Sequence, residues 1–385
     1  MRGSPAAALR LAATATALVT ATGVVTACGN ADGATGKDGT TVDVTLTADG
    51  CKPDPAKVPA GAVTFDITNK SAPKVNEAEL LNGKVIAGEK ENLTPGLSGS
   101  FSLKLDAGTY TVYCPNAKQE KWDLRVTGGK AKSSFSAGVR KSLDGATKKY
   151  HDYVVDQVDA FNKATGTFTD AIRAGDIAEA KKLYAPARYH YETVEPVAES
   201  FGSLDPQIDA RVNDVAEGDR WTGFHRLEKA LWKDESLKGM TAVAGELDKD
   251  GARLAELVAD TTYQPAQLAN GATELLNEVA SSKITGEEDR YGHTDLSDFK
   301  ANIVGGKKAF DLLEPALREI DPKLAKRVDK HYGKVLSALK KYEGQYAGSG
   351  FVNYATVGQS DRRALTQEVN ALAEPLSQVA AKVTG

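Results

Sequence analysis

The segment 365–383, LTQEVNALAEPLSQVAAKV, carries the pattern that decides the fold of the larger part of this chain. Its large apolar residues recur at intervals of 4, 3, 4, 3 and 4, at Leu365, Val369, Leu372, Leu376, Val379 and Val383. An α-helix has 3.6 residues per turn, so this spacing places all of them on one face. The segment therefore predicts an amphipathic helix that packs against other helices.

Similar patterns upstream extend this prediction to a whole bundle. Two more apolar stripes have helical spacing: Leu324, Val328, Tyr332, Val335, Leu339 and Tyr342, and then Leu268, Ala272, Leu275 and Val279. The first of them follows Asp321-Pro322, a good N-cap with proline at the first helical position. Further helices are predicted near 138–174, 177–201, 224–234, 242–259 and 295–319. Together they predict an all-α bundle over residues 137–385.

In residues 41–128, apolar residues recur at every second position instead. Four runs alternate apolar with polar residues: Val42, Val44 and Leu46; Val63, Phe65 and Ile67; Phe101, Leu103 and Leu105; Tyr110 and Val112. Turn sequences such as Asn82-Gly83 and Pro95-Gly96 lie between them. Short alternating strands with such turns predict an all-β sandwich, joined to the bundle by a linker at 129–136.

The N-terminus has the layout of an export signal. Arg2 and Arg10 flank the start of an Ala-rich apolar run that is short for a membrane span and ends at Val25-Thr26-Ala27-Cys28. Small residues before this cysteine resemble a bacterial lipobox, so we expect a lipoprotein signal peptide at 1–27, lipidation of Cys28 and a flexible tether at 28–40. An ordinary signal peptide with a chance cysteine is the alternative. In either case the mature chain is expected outside the cytoplasm.

Composition excludes some functions. The 385 residues carry a net charge of −4, with 41% hydrophobic and 26% charged residues, which is typical of globular domains and not of a basic nucleic-acid binder. With Cys28 lipidated, Cys51 and Cys114 remain in an oxidising compartment, where a disulfide is the expected state. Thiolate ligation of a soft metal is the alternative for this pair.

The sharpest local pattern is Gly223-Phe224-His225-Arg226-Leu227-Glu228. Two residues three apart on a helix project from the same face, so His225 and Glu228 can chelate one cation. A surface or capping pair is the simpler interpretation of such a short motif. Further acids, at Glu192, Asp209 and Glu288-Asp289, could join the pair or form ion pairs with neighbouring arginines, Asp209 with Arg211 and Asp289 with Arg290.

Long strings of this chain resemble one family. They are Lys182-Leu183-Tyr184-Ala185-Pro186, Tyr191-Glu192 with Glu195-Pro196, Ile208-Asp209-Ala210-Arg211, Thr222-Gly223-Phe224-His225-Arg226-Leu227-Glu228 and Gly286-Glu287-Glu288-Asp289-Arg290-Tyr291. In this order they resemble the EfeO family of extracytoplasmic iron-uptake components. That resemblance implies an N-terminal cupredoxin-like domain followed by an imelysin-like domain of a peptidase-named family.

The resemblance also implies a site and partners. By position, the metal ligands of the helical domain would be His225, Glu228, Glu192, Asp209 and Glu288, with His293 in support. The cargo would be ferric or ferrous iron, with zinc and copper as alternatives. Delivery would be to a membrane permease, with a haem peroxidase of the same uptake system as a further partner and the lipid anchor as the only membrane contact.

A second group of acids lies in the β-domain. Glu77 and Glu79 are two apart, as are Glu89 and Glu91, so each pair could share one face of a strand. They could all face solvent, but the resemblance implies that such acids are metal ligands. All five histidines lie beyond residue 150, so this domain lacks the two histidines of a blue-copper centre.

Two other functions remain open from sequence. The family name suggests a zinc-dependent metallopeptidase, although the string His-Glu-x-x-His that many such enzymes use is absent. The β-domain could alternatively carry copper or assist iron oxidation, with Cys51 and Cys114 as thiolate ligands. The prediction is nevertheless a binding and delivery protein rather than an enzyme.

Overall fold

The computed structural model describes residues 39–215 and 217–385. The predicted signal peptide, the lipidation site Cys28 and nearly all of the predicted tether lie outside the described residues. The described chain has strands between residues 40 and 127 and helices between residues 137 and 383. The predicted fold class, a cupredoxin-like sandwich followed by a helical bundle, is confirmed.

The sandwich consists of nine strands in two sheets. In chain order they are β1 Thr40–Leu46, β2 Pro53–Asp54, β3 Lys57–Pro59, β4 Gly61–Asn69, β5 Ala78–Asn82, β6 Val85–Lys90, β7 Ser98–Leu105, β8 Gly108–Tyr113 and β9 Lys121–Thr127. One sheet has the order β2-β1-β4-β7 and the other β3-β9-β8-β5-β6. β1 runs parallel to β4, with Val44 opposite Ile67, and β4 runs antiparallel to β7, with Phe65 opposite Phe101.

The inward residues of the predicted alternation form the core of the sandwich. Val42, Val63 and Leu103 are fully buried, and the rings of Phe65 and Phe101 stack with centroids 4.8 Å apart. Cys51 and Cys114 form a disulfide in this core, and both residues are fully buried. This bond removes both sulfurs from the thiolate ligand set that the copper alternative needs.

The bundle contains ten α-helices within the described residues. They are α1 Ala137–Ala174, α2 Ile177–Glu192, α3 Leu204–Asp209, α4 Gly223–Glu228, α5 Met240–Ala259, α6 Pro265–Ser281, α7 Asp295–Ile320, α8 Pro322–Leu339, α9 Gln359–Leu376 and α10 Val379–Val383. The N-cap side chain of Ser136 accepts a hydrogen bond from the amide of Val139, and Asp321 caps α8 through the amide of Leu324. No helix among residues 39–215 and 217–385 has the length and apolar character of a membrane span.

Two predicted helices are each broken into two. The segment 177–201 leaves α-helical geometry after Glu192 and continues as a 3₁₀ helix, Glu195–Phe201. Pro196 lacks an amide proton and disfavours helical geometry at the residue before it, which accounts for the break. The opening segment, 365–383, ends its first helix at Leu376, where the amide of Gln378 bonds to Pro375 three residues back. Its six apolar residues are all buried as predicted.

Helix α6 joins the bundle to the sandwich. The Asn270 amide donates to the carbonyl of Ser102 at 2.9 Å, and Gln267 donates to the carbonyl of Ala87 at 3.2 Å. An ion pair of 2.5 Å between Lys90 and Glu274 lies beside them, with side chains only 12% and 13% exposed. Strands β6 and β7 of the sandwich therefore contact α6 directly.

The disulfide should contribute strongly to the stability of the sandwich. We expect the double substitution Cys51→Ser/Cys114→Ser to lower its free energy of unfolding by about 4 kcal/mol, as loop-closure entropy predicts for a bridge of this length. The bridged residues are 63 apart in sequence. Amide hydrogen exchange of the strands in the full chain measures the change. Reactive thiols at Cys51 and Cys114 in the denatured, unreduced protein would contradict the disulfide and restore the thiolate alternative.

Candidate metal centre

Charged side chains from five parts of the bundle meet in its interior. We call them the carboxylate cluster: Glu192, Asp209, Glu228, Glu288, Asp289, Asp295 and Asp298, with Arg188, Lys283 and His225. They come from α2, the end of α3, α4, the loop 282–294 and the first turn of α7. All except Asp209 are buried, with exposed fractions of 3% or less. Charged groups are rarely buried unless they are paired or bind an ion, so this cluster is the first candidate for function.

A glycine with unusual backbone geometry brings α4 against α3. Gly223 has a φ of +76°, and a Cβ atom there would lie 2.2 Å from the carbonyl oxygen of Ile208. The side chain of Thr222 bonds to the carbonyl of Gln207, which fixes the same contact. His225 is thereby placed beside Asp209, the last residue of α3. A π-helical turn, Lys229–Lys233, continues α4 directly.

The two ring nitrogens of His225 have different surroundings. Nδ1 lies 3.1 Å from Oε2 of Glu228 and 3.4 Å from the hydroxyl of Tyr184. Nε2 is buried and has no hydrogen-bond partner among the described residues. The nearest carboxylate oxygens to Nε2 belong to Asp209 and Glu288, each at 3.7 Å. Nδ1 is therefore hydrogen-bonded, whereas Nε2 faces two acids without a hydrogen bond to either.

Glu228 is held by backbone as well as by the histidine. Its Oε1 accepts hydrogen bonds from the amides of Tyr291 and Gly292, both at 2.7 Å. Its Oε2 faces His225, so both oxygens of the carboxylate are occupied. Burial raises the pKa of Glu228, and the hydrogen bond from His225 opposes that shift. The spacing of three residues thus produces a contact between the two side chains themselves.

Arg188 is the central counter-charge of the carboxylate cluster. Its fully buried guanidinium forms ion pairs with five carboxylates: Glu192, Asp209, Glu288, Asp289 and Asp298. Lys283, 1% exposed at its side chain, reaches Glu195 at 2.6 Å and Glu192 at 3.3 Å. Guanidinium and ammonium groups thus occupy part of the space around the acids.

Acids nevertheless exceed bases in this interior. Six cluster carboxylates are buried, against the permanent charges of Arg188 and Lys283 in the described chain. Burial raises the pKa of Asp295 and of Asp298 well above the usual range. Burial and the charge of Arg188 disfavour a charged His225, yet Asp209, Glu228 and Glu288 outweigh them and raise the pKa of His225 to about 10. Protons thus offset part of the excess negative charge.

Three groups of side chains bring ligand atoms within 4.8 Å of one another among the described residues. They are Asp209, His225 and Glu288; His225, Glu228 and Asp289; and Glu192, Glu288 and Asp298. All five ligands expected in the helical domain therefore belong to one or more groups. Glu192 is not in a group with His225, because its Oε2 faces Lys283 and Asn302 instead.

Sequence reasoning missed four members of the cluster, Arg188, Lys283, Asp295 and Asp298. The predicted ion pairs are wrong, since Asp209 pairs with Arg188, and Arg290 pairs with Glu287. Asp289 is fully buried and accepts hydrogen bonds from Tyr184 at 2.9 Å and from Thr294. His293 stands at a φ of +55° and contributes backbone hydrogen bonds rather than a ligand to these groups. Asp298 follows Asp295 by three residues, a helical spacing that could have identified it.

The four glutamates of the β-domain are arranged differently. Glu79 on β5 lies directly opposite Glu89 on β6. Burial and the charge of Glu77 raise the pKa of Glu79 to about 7. No three of these four carboxylates approach one another as closely as the groups of the bundle do within the described chain. The register of β5 and β6 thus places Glu79 and Glu89 opposite each other without forming a comparable group.

Comparison with known proteins places both halves of the chain. The imelysin family, which is named as a peptidase family, matches residues 146–379, and the cupredoxin-like domain family matches residues 14–121. The iron uptake system component EfeO of Escherichia coli is 42% identical over 341 residues, covering 88% of this chain and 90% of the relative. EfeO of Shigella flexneri has the same identity and coverage.

A solved structure supports the helical fold. A crystal structure from Parabacteroides distasonis, assigned provisionally as an iron-regulated protein A precursor, superposes with a TM-score of 0.50 at 17% identity. The match covers 66% of this chain and 97% of that one. At this identity the likeness shows the shared fold alone.

Gly223→Ala should strain the backbone and also displace α4, which carries His225. The added Cβ meets the carbonyl of Ile208, so α4 must shift away from α3 and separate His225 from Asp209. Gly218→Ala is the matched control, because Gly218 also has a positive φ of +94° but open space around its Cβ. We expect a loss of about 1–3 kcal/mol of stability from strain in both variants. Only Gly223→Ala should also weaken metal binding in a calorimetric titration.

Glu79→Gln should change how stability depends on pH. The pKa of Glu79 is raised from 4.5 to about 7, so between these values the folded chain keeps a proton that the unfolded chain has lost. This glutamate therefore makes the native state less stable as the pH rises through that window. The variant should lose less stability than the parent between pH 5 and pH 7 in urea unfolding. Asp123→Asn, an exposed carboxylate of the same sheet, should follow the parent, and equal pH profiles for Glu79→Gln would contradict the assignment.

Proposed function

This chain belongs to the imelysin family and, with the relatives it matches over most of its length, to the EfeO group of iron-uptake components, and from this premise we propose that it captures an iron ion in the carboxylate cluster. The observation that carries the proposal is the buried Nε2 of His225, which makes no hydrogen bond within the described chain and faces Asp209 and Glu288 at 3.7 Å. The ion is cargo, which the protein binds outside the cytoplasm and hands on.

The charge of the interior favours a cation. Buried carboxylates that lack partners cost several kcal/mol each, and Arg188 with Lys283 balances only part of those in the cluster. A multivalent cation would neutralise several acids at once and release the protons that now offset the excess. Carboxylate oxygens with one imidazole suit hard or borderline ions, and ferric iron is the hardest of the candidates. Ferrous iron and zinc are softer ions, so carboxylate oxygens favour them less than ferric iron.

The β-domain would contribute a second, weaker cation site. Glu77, Glu79, Glu89 and Glu91 are its proposed ligands. The raised pKa of Glu79 supports this, because burial and the charge of Glu77 cause it, and a cation beside Glu77 and Glu79 would relieve the same repulsion that a proton relieves now. Copper could bind these oxygens, but the Cys51–Cys114 disulfide leaves no thiolate for a soft-metal site there.

The same proposal covers the setting in which the protein works. Cys28 would carry the lipid anchor, and the tether at 28–40 would let the two domains reach a neighbour in the membrane. The name of the relatives, a component of an iron uptake system, implies further components. We propose that these further components are a membrane permease, which accepts the ion, and a haem peroxidase.

A role in binding, not catalysis, fits the donor set. Zinc peptidases commonly use two histidines, a third ligand and a water in an open position, with a separate general base. His225 is the one histidine in the ligand groups of the described chain, and Glu228 already accepts hydrogen bonds from His225, Tyr291 and Gly292. The name of the imelysin family as a peptidase family therefore has no support from this arrangement.

Iron binding should depend on the histidine and the glutamate of α4. We expect the full chain to bind ferric iron, supplied as citrate, in a calorimetric titration, and the variant His225→Ala/Glu228→Ala to lose at least a hundredfold in affinity. The variant lacks both the imidazole donor and the carboxylate that contacts it.

The control is His331→Ala/Glu256→Ala, which removes the same residue types at positions outside the carboxylate cluster. It should bind iron as the parent does. A parent that does not bind iron, or a cluster variant that binds it unchanged, contradicts the proposed function.

A further inference from the structure

Resting on the function proposed above, we propose that the ion lies on the Nε2 side of His225, bound by Nε2, Asp209 and Glu288, and that Glu228 is a positioning residue rather than a ligand. The motif of histidine and glutamate three residues apart suggests the opposite, a chelate in which both side chains hold the metal. The contacts of the two ring nitrogens decide between these arrangements.

The Nε2 side is ready to receive a cation. Nε2 belongs to a side chain that is 2% exposed, and it lacks a partner among the described residues. A ligand at this point would satisfy a buried nitrogen that now makes no hydrogen bond. Ligand atoms at bonds of roughly 2.1 Å to one ion lie roughly 3.0–3.6 Å apart for angles of 90–120°. The observed 3.7 Å to Asp209 and to Glu288 needs only a slight contraction.

The Nδ1 side already has hydrogen bonds at the ring nitrogen and at both of its acids. Glu228 uses Oε2 for Nδ1 at 3.1 Å and Oε1 for the amides of Tyr291 and Gly292. Asp289, the other acid on this side, accepts from Tyr184 through Oδ1 and from Thr294 through Oδ2. An ion bound to Nδ1 would have to displace the hydrogen bond between Nδ1 and Glu228, whereas Nε2 has no hydrogen bond to lose within the described chain.

Glu228 has the contacts expected of a residue that orients a metal-binding histidine. Such histidines commonly donate their second N–H to a carboxylate, which fixes the tautomer and the direction of the ring. The two backbone amides hold Glu228 in turn, so the direction of Nε2 depends on the loop that also carries Glu288. Loss of such a partner typically weakens metal binding by about 10–100-fold without removing a bond to the metal.

Arg188 fits the same arrangement. It donates to Oδ1 of Asp209 and, at 3.1 Å, to Oε1 of Glu288, the two oxygens that face Nε2. A carboxylate oxygen has more than one lone pair, so it can accept from Arg188 and still bind an ion on its other side. The guanidinium thus holds the two acids close together before an ion arrives.

One of the proposed ligands is also partly exposed to solvent. The side chain of Asp209 is 12% exposed, whereas those of His225 and Glu288 are 2% and 3% exposed. Arg211, 23% exposed, covers Glu288 from outside at 3.2 Å. Three protein ligands leave coordination positions for water or for a group of the acceptor, which a delivered ion requires.

The direct test is a crystal structure of the full chain soaked with ferric citrate, with anomalous data at the iron edge. The expected peak lies beside Nε2, between Asp209 and Glu288. A peak between Nδ1, Glu228 and Asp289 overturns the inference and leaves the proposed function standing. Absence of iron from the whole bundle defeats the proposed function itself.

Substitutions separate the two roles in solution. Glu228→Gln should bind ferric iron about 10–100-fold more weakly, with the number of oxygen neighbours unchanged in iron X-ray absorption spectra. Asp209→Asn should weaken binding and change those spectra, because a charged ligand is lost. Glu287→Gln, at an exposed neighbour of Glu288, should match the parent in both measurements. Loss of one oxygen neighbour in Glu228→Gln would make Glu228 a ligand and overturn the inference.

Discussion

The bundle depends on one electrostatic constraint, which is the burial of more carboxylates than fixed positive charges around Arg188. A buried acid is tolerated only when a cation, a proton or a hydrogen-bond donor offsets the loss of its hydration. Arg188 contacts five acids at once, so it fixes where the C-terminal half of α2 lies relative to α3, the loop 282–294 and α7. The same pairing makes the interior polar, which is what the proposed function requires.

Close backbone contacts allow this interior to form. Gly223 lets α4 begin against the carbonyl of Ile208, and Gly305 lets α7 approach the carbonyl of Thr193, which a Cβ atom there would meet at 2.1 Å. The first contact brings the helix of His225 against α3, and the second brings the helix of Asp298 against the end of α2. Helix α6 then links this region to the sandwich through Asn270, so the β-domain is held against the bundle that contains the cluster.

The sequence predicted the fold class because both periodicities are regular. Alternation around Val44 and Phe65 and helical spacing around Val369 reflect burial, which is a local property of each element. The partners of charged residues could not be predicted as well from sequence. Asp209 was expected beside Arg211, its sequence neighbour, but it pairs with Arg188 on another helix. The resemblance to a family supplied the acids near His225, whereas no local signal identified Arg188 or Lys283 as their counter-charges.

A protein that carries a metal must remain folded after it has released the metal. Structural metal sites do not meet this demand, since the free energy of binding is there part of the free energy of folding. In this bundle Arg188 and Lys283 stay paired with the acids, and Glu228 keeps its bonds to the backbone of the loop. Removal of an ion beside Nε2 would therefore leave the acids with Arg188, Lys283 and protons as counter-charges, and one imidazole nitrogen without a hydrogen bond. Such a site can bind and release its cargo while the surrounding helices keep their positions.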